Sequence, residues 1–128
     1  MATIIEIDVT DFHWTTPGHA AVISPAISAN WGVHQGKMIG FKAVASNALN
    51  GITFTLAIKD RDGDTIYTSG ANAENATTLT MGLDIPLVEQ ETVVIDPSGD
   101  PGDTGGTTVD FAITKLYLYY HPDPNNAL

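Results

Sequence analysis

Apolar and polar residues alternate along most of this chain. In "TIIEIDV", Ile5, Ile7 and Val9 share one face, and Glu6 and Asp8 the other. "KMIGFKAVA" puts Ile39, Phe41, Ala43 and Ala45 in phase, and "ITFTLAIK" sets Phe54, Leu56 and Ile58 against Thr53, Thr55 and Lys59. "TLTMGL" aligns Leu79, Met81 and Leu83, and "TVVI" directs Val93 and Ile95 inward. A period of two, built from Val, Ile, Thr and aromatic residues, marks half-buried strands. Helical periodicity is thin, because its best window, "HAAVISPAISANW", is broken by Pro25. Turn residues cluster between the runs, as in "TTPG", "NALNG", "RDGD", "GANAEN" and "DPSGDPGDTGG". Short strands punctuated in this way predict an all-β fold. The expected form is an antiparallel β-sandwich, with a jelly roll as one version of it, and an irregular N-terminal segment. The 128 residues suit one domain, 1–128, with extended arms expected at 10–36 and 120–128.

Two stretches invite a chemical reading. In "IKDRDGDTIY" the alternating Asp60, Asp62 and Asp64 resemble the start of a calcium loop. An EF-hand would need further oxygens after the glycine and a glutamate at position twelve, whereas Thr65, Ile66 and Tyr67 read as strand. Asp-Gly between two alternating runs is a hairpin signal, so a charged turn is expected and no metal site. "DPSGDPGDTGG" reads as a long exposed connection or a protruding contact loop, stiffened by Pro97 and Pro101.

The last strand is the most informative. Val109, Phe111 and Ile113 are apolar at odd positions, and Leu116 and Leu118 at even ones. The change of parity at 114–115 predicts a β-bulge. Tyr117 and Tyr119 then lie opposite the leucines, so either the strand is covered on both faces within one sandwich or the tyrosines form an oligomer or docking surface. Tyrosines enrich interfaces, so Tyr117, Tyr119 and the adjoining Tyr120 are candidate interface residues, together with Trp14 and Trp31. The two tryptophans also raise an alternative, a sugar-stacking platform on a carbohydrate-binding module.

Composition narrows the function classes. Lys and Arg total 5 against 15 Asp and Glu, a net charge of −10. That balance disfavours nucleic-acid backbones and anionic membrane surfaces. No apolar run approaches the roughly 20 residues of a membrane helix, and "MATIIEIDVTDFHW" lacks the basic start of a secretory signal. There is no cysteine, hence no disulfide or thiolate chemistry. His13, His19, His34 and His121 have no metal-site spacing, and no nucleophile elbow or phosphate loop occurs. No catalytic residue, cofactor or metal is expected, and the protein reads as a non-enzyme.

The C-terminal half resembles small virion proteins of tailed bacteriophages. The likeness is carried by "DGDTIY" after the turn, "NATT", and "IPLVEQETVVIDPSGDPG", followed by the terminal strand. The resemblance implies a β-sandwich capsid decoration, or cement, protein on the outside of the head, assembled in the host cytoplasm. It would clamp neighbouring subunits of the major capsid protein as a homo-oligomer, a trimer first and a dimer second, with no catalytic residues. A neck or tail component of the same fold is the related alternative.

Overall fold

The alternating runs do become strands. The computed structural model describes residues 3–14, 21–23, 36–46, 51–87, 90–99, 103–104, 107–108 and 110–122. Within them lie twelve strands: β1 (Thr3–Glu6), β2 (His13–Trp14), β3 (Val22–Ile23), β4 (Gly36–Ala45), β5 (Thr53–Lys59), β6 (Thr65–Thr68), β7 (Asn72–Ala73), β8 (Thr77–Leu87), β9 (Thr92–Pro97), β10 (Asp103–Thr104), β11 (Thr107–Thr108) and β12 (Phe111–Pro122).

Two five-stranded antiparallel sheets face each other. The first has the order β1-β12-β4-β8, with β2 added to β12, and the second β3-β9-β5-β6, with β7 added to β5. The pairings are nested: β5 with β6, then β4 with β8, then β3 with β9, then β1 with β12. The chain is thus one long hairpin rolled up so that successive pairs alternate between sheets, which is the jelly roll. The core between the sheets is apolar, with Phe12, Phe41, Phe54, Leu56, Ile58, Val93, Ile95, Phe111, Ile113, Leu116 and Leu118 all buried. Phe111 bridges the aromatic part of it, its ring 6.0 Å from Phe54 and 5.5 Å from Trp14.

The alternation held where no strand changes register. Ile5 and Ile7 on the first run, and Phe54, Leu56 and Ile58 on the fifth strand, point inward as expected. The bulge foreseen at 114–115 is present: Ile113 faces Ala45 and Lys115 faces Val44, leaving Thr114 as the extra residue. Its hydroxyl donates to the Val44 carbonyl at 3.2 Å.

Three expectations are corrected. Ile39 was placed with the inward set of β4. Instead, Tyr119 faces Gly40 and Tyr120 faces Met38, so Ile39 is a bulge residue and Met38 takes the inward place. Leu79 and Met81 were expected inward with Leu83. Met38 faces Ile85 while Gly40 faces Met81, so β8 passes four residues where β4 passes two. Gly82, at φ +82°, sits in that excess, and the strand turns over there. Leu83 and Ile85 pack on the core, whereas Leu79 and Met81 face out. Finally, part of the long 96–106 connection is a small hairpin in which Asp103 faces Thr108 and Thr104 faces Thr107.

Of the segment expected as an arm at 10–36, Phe12 and Trp14 are in the core and Val22–Ile23 pairs with β9. Of the arm expected at 120–128, Tyr120 to Pro122 continue β12. Residues 15–20, 24–35 and 123–128 of these two segments lie outside the described residues.

Candidate interaction surface

The charged turn has a local structural role. Both the Asp62 and the Asp64 backbone N–H groups donate to Asp60 Oδ1 at 2.9 Å. The Asp60 N–H donates to the Asp64 carbonyl, the Gly63 N–H to the Asp60 carbonyl, and Gly63 takes φ +86°. Asp60 is therefore the side chain that closes the hairpin, an Asx-type turn. Among the described residues, no three of His, Asp and Glu converge on a common point.

The outer face of the first sheet has the features of a contact surface. Residues directly opposite on antiparallel strands share a face. Ile4 faces Tyr119, Tyr119 faces Gly40, and Gly40 faces Met81. One row along, Glu6 faces Tyr117, Tyr117 faces Lys42, and Lys42 faces Leu79. Two rows therefore cross all four strands on the side away from the core. Ile4 is 60% exposed, Leu79 60% and Met81 51%, and both tyrosines are half-buried. Gly40 is buried and lets Met81 lie across it: a Cβ there would fall on the Thr80 carbonyl and the Met81 sulfur.

The charges around these rows largely offset one another. Lys37, Lys42 and Lys115 project from this face, and so do Glu6 and Asp84, with Lys37 Nζ 3.2 Å from Asp84. Asp8 lies where β1 ends and accepts from both the Thr10 hydroxyl, at 2.6 Å, and the Thr10 N–H, at 2.9 Å. These two bonds, the hydroxyl first, hold its carboxyl below the usual Asp value. At the β2 end of the same face an exposed Asp110 pairs with His13 at 3.0 Å, so the three lysines offset most but not all of the carboxylate charge on a chain whose net charge is −10.

The five residues singled out from the sequence separate here. Tyr117 and Tyr119 lie in the outward rows. Tyr120 is 4% exposed, because its even position sets it beside Leu116 and Leu118 on the inner face. Gly36 accommodates it, since a Cβ there would strike the Tyr120 ring. Trp14 is 5% exposed, because it faces Phe111 across the β2–β12 pair and shares that residue's inward direction. Stacked against Phe12 and Phe111, it is unavailable as a sugar platform. Trp31 lies outside the described residues. Ile4, Leu79, Met81 and Gly40 were missed. A signal for Ile4 was present, because in the doublet of Ile4 and Ile5 one residue must face outward.

No family model matches the chain, and no curated protein is similar to it in sequence. Solved structures do share its fold. A chain of infectious bursal disease virus, Gt strain, matches 98% of this chain at a TM-score of 0.50 and 13% identity. A chain of the crystal structure of the T13 particle of the same virus matches 95% at 0.50 and 12%. This chain spans about a third of theirs, 33% and 31% respectively. At such identity the likeness is one of fold, and it runs through nearly the whole of the present chain.

Proposed function

We propose that this protein is a virion structural protein that binds the outer surface of a tailed-phage capsid and stabilises contacts between major capsid subunits. The observation that carries this reading is the exposed aliphatic and tyrosine face spanning four strands of a rigid sheet. Jelly rolls are widely used in viral shells, and the fold shared with chains of a viral particle agrees with such a role. The resemblance of the C-terminal half to phage virion proteins supplies the tailed-phage setting. In this reading the protein acts by binding alone, without catalysis, metal or cofactor. It sits on the capsid exterior, after assembly in the host cytoplasm, where its acidic surface keeps clear of packaged DNA.

The partners are the major capsid protein and further copies of this chain. Closed symmetric assemblies suit a lattice, because repeated weak contacts combine into high avidity. A trimer at a three-fold axis is the first arrangement and a dimer at a two-fold the second. The test is reconstitution: heads lacking the protein should bind it when purified and gain resistance to heat or osmotic shock. Absence of binding, or a position in the neck or tail, would overturn the capsid reading.

A further inference from the structure

The two outward rows of the first sheet have a symmetry that selects their occupant. In one row Glu6 and Lys42 lie on either side of Tyr117, each one strand away. In the next row Ile4 and Gly40 lie on either side of Tyr119. We propose that this face docks a second copy of itself, face to face, about a two-fold axis running along β12. This rests on the reading given above, takes the dimer of its two arrangements in place of the trimer, and names which surface joins the copies.

Such an axis keeps each row level and exchanges the strands flanking β12. Glu6 of one copy then stands over Lys42 of the other, and the same pair recurs on the opposite side. Tyr117 meets Tyr117, Tyr119 meets Tyr119, and Ile4 rests on the Met81 side chain that covers Gly40. Sheets packed face to face keep their strands within about 30° of each other, which a two-fold along the strands permits. An isologous contact must be self-complementary, and these rows are so in charge, Glu6 against Lys42, and in apolar contact, Ile4 against Met81.

Charge also restricts where two copies can meet. Each molecule carries a net −10, so most approaches between copies are repulsive. On this face Lys37, Lys42 and Lys115 offset most of the carboxylate charge, so apolar contact decides more here than elsewhere on the surface. The contact is bounded along β12 by Lys115 at one end and His121 at the other, both exposed and both near the axis. It is therefore confined to the central rows.

Charge exchange on the free protein tests this without any capsid. The wild-type chain should be a concentration-dependent dimer by light scattering and sedimentation. Glu6→Lys alone and Lys42→Glu alone should each weaken dimerisation at least about tenfold, since each apposes like charges across the contact. The double variant should recover it. Thermal melting checks that all three variants are folded, as both residues lie on the surface. A wild-type monomer or trimer would overturn the two-fold contact, as would single variants that dimerise normally or a folded double variant that stays monomeric. Head binding by a protein that never dimerises would sink this inference and leave the capsid role standing. Dimerisation without head binding would do the reverse.

Discussion

Phe54 is fully buried, with its ring against Phe111. Phe54→Ala should therefore cost about 3–5 kcal/mol, read as a shift in the denaturation midpoint. Ile4, Leu79 and Met81 should behave differently. Leu79→Ser with Met81→Ser should each change stability by no more than about 0.5 kcal/mol, while loosening self-association and attachment to heads. Parallel loss of stability would mean that these side chains belong to the fold instead. At the hairpin tip, Asp60→Ala should cost about 1 kcal/mol, because two backbone N–H groups lose their acceptor. Adding calcium should leave the melting temperature unmoved. An occupied site at a hundredfold excess over its Kd would contribute about 2.7 kcal/mol, on the order of ten degrees for a chain this small. Asp8 gives a pH test. Its folded carboxyl titrates below the usual value, so its contribution is present above the ordinary Asp range and disappears as pH falls through the lowered one. An NMR titration should place Asp8 below the ordinary Asp value, and Thr10→Val should move it upward.

The runs that form β1 and β5 could be read from their order of residues because no bulge falls within them, so Ile5 and Ile7, and Phe54, Leu56 and Ile58, stay on one face. Parity was also informative in β12, where the switch from Ile113 to Leu116 demanded an extra residue and Thr114 supplied it. It misled in β8. Leu79, Met81 and Leu83 share parity, but the excess residues around Gly82 reverse the strand's faces between Met81 and Leu83. A glycine inside an alternating run is a bulge signal, and here it decides whether Leu79 and Met81 are core or surface. Gly82→Ala should cost about 1–2 kcal/mol, measured by chemical denaturation, because the left-handed conformation penalises a Cβ. Bulging at Ile39 had no comparable signal, since Met38, Ile39 and Phe41 are all apolar. Nor could the burial of Trp14 be seen locally. It depends on pairing with Phe111, far along the chain.

At the level of the fold, the turn-punctuated strands announced a sandwich, whereas the roll itself is a matter of which distant strands pair. That pairing brings Ile4, Lys42, Leu79 and Tyr117, from four separate strands, onto one face. The site was therefore legible only in part: the tyrosines stood out, and their aliphatic neighbours became visible through the register. An apolar face whose lysines offset most of its carboxylates, on a chain of net −10, is the property from which the capsid role and the self-contact both follow. Electron microscopy of heads lacking the protein, before and after incubation with the purified chain, examines that role. The expected result is added density on the capsid exterior at symmetry axes, with the Ile4–Tyr119–Met81 face turned toward a second copy of the chain. Heads that remain bare, or density found only at the neck or tail, would contradict it.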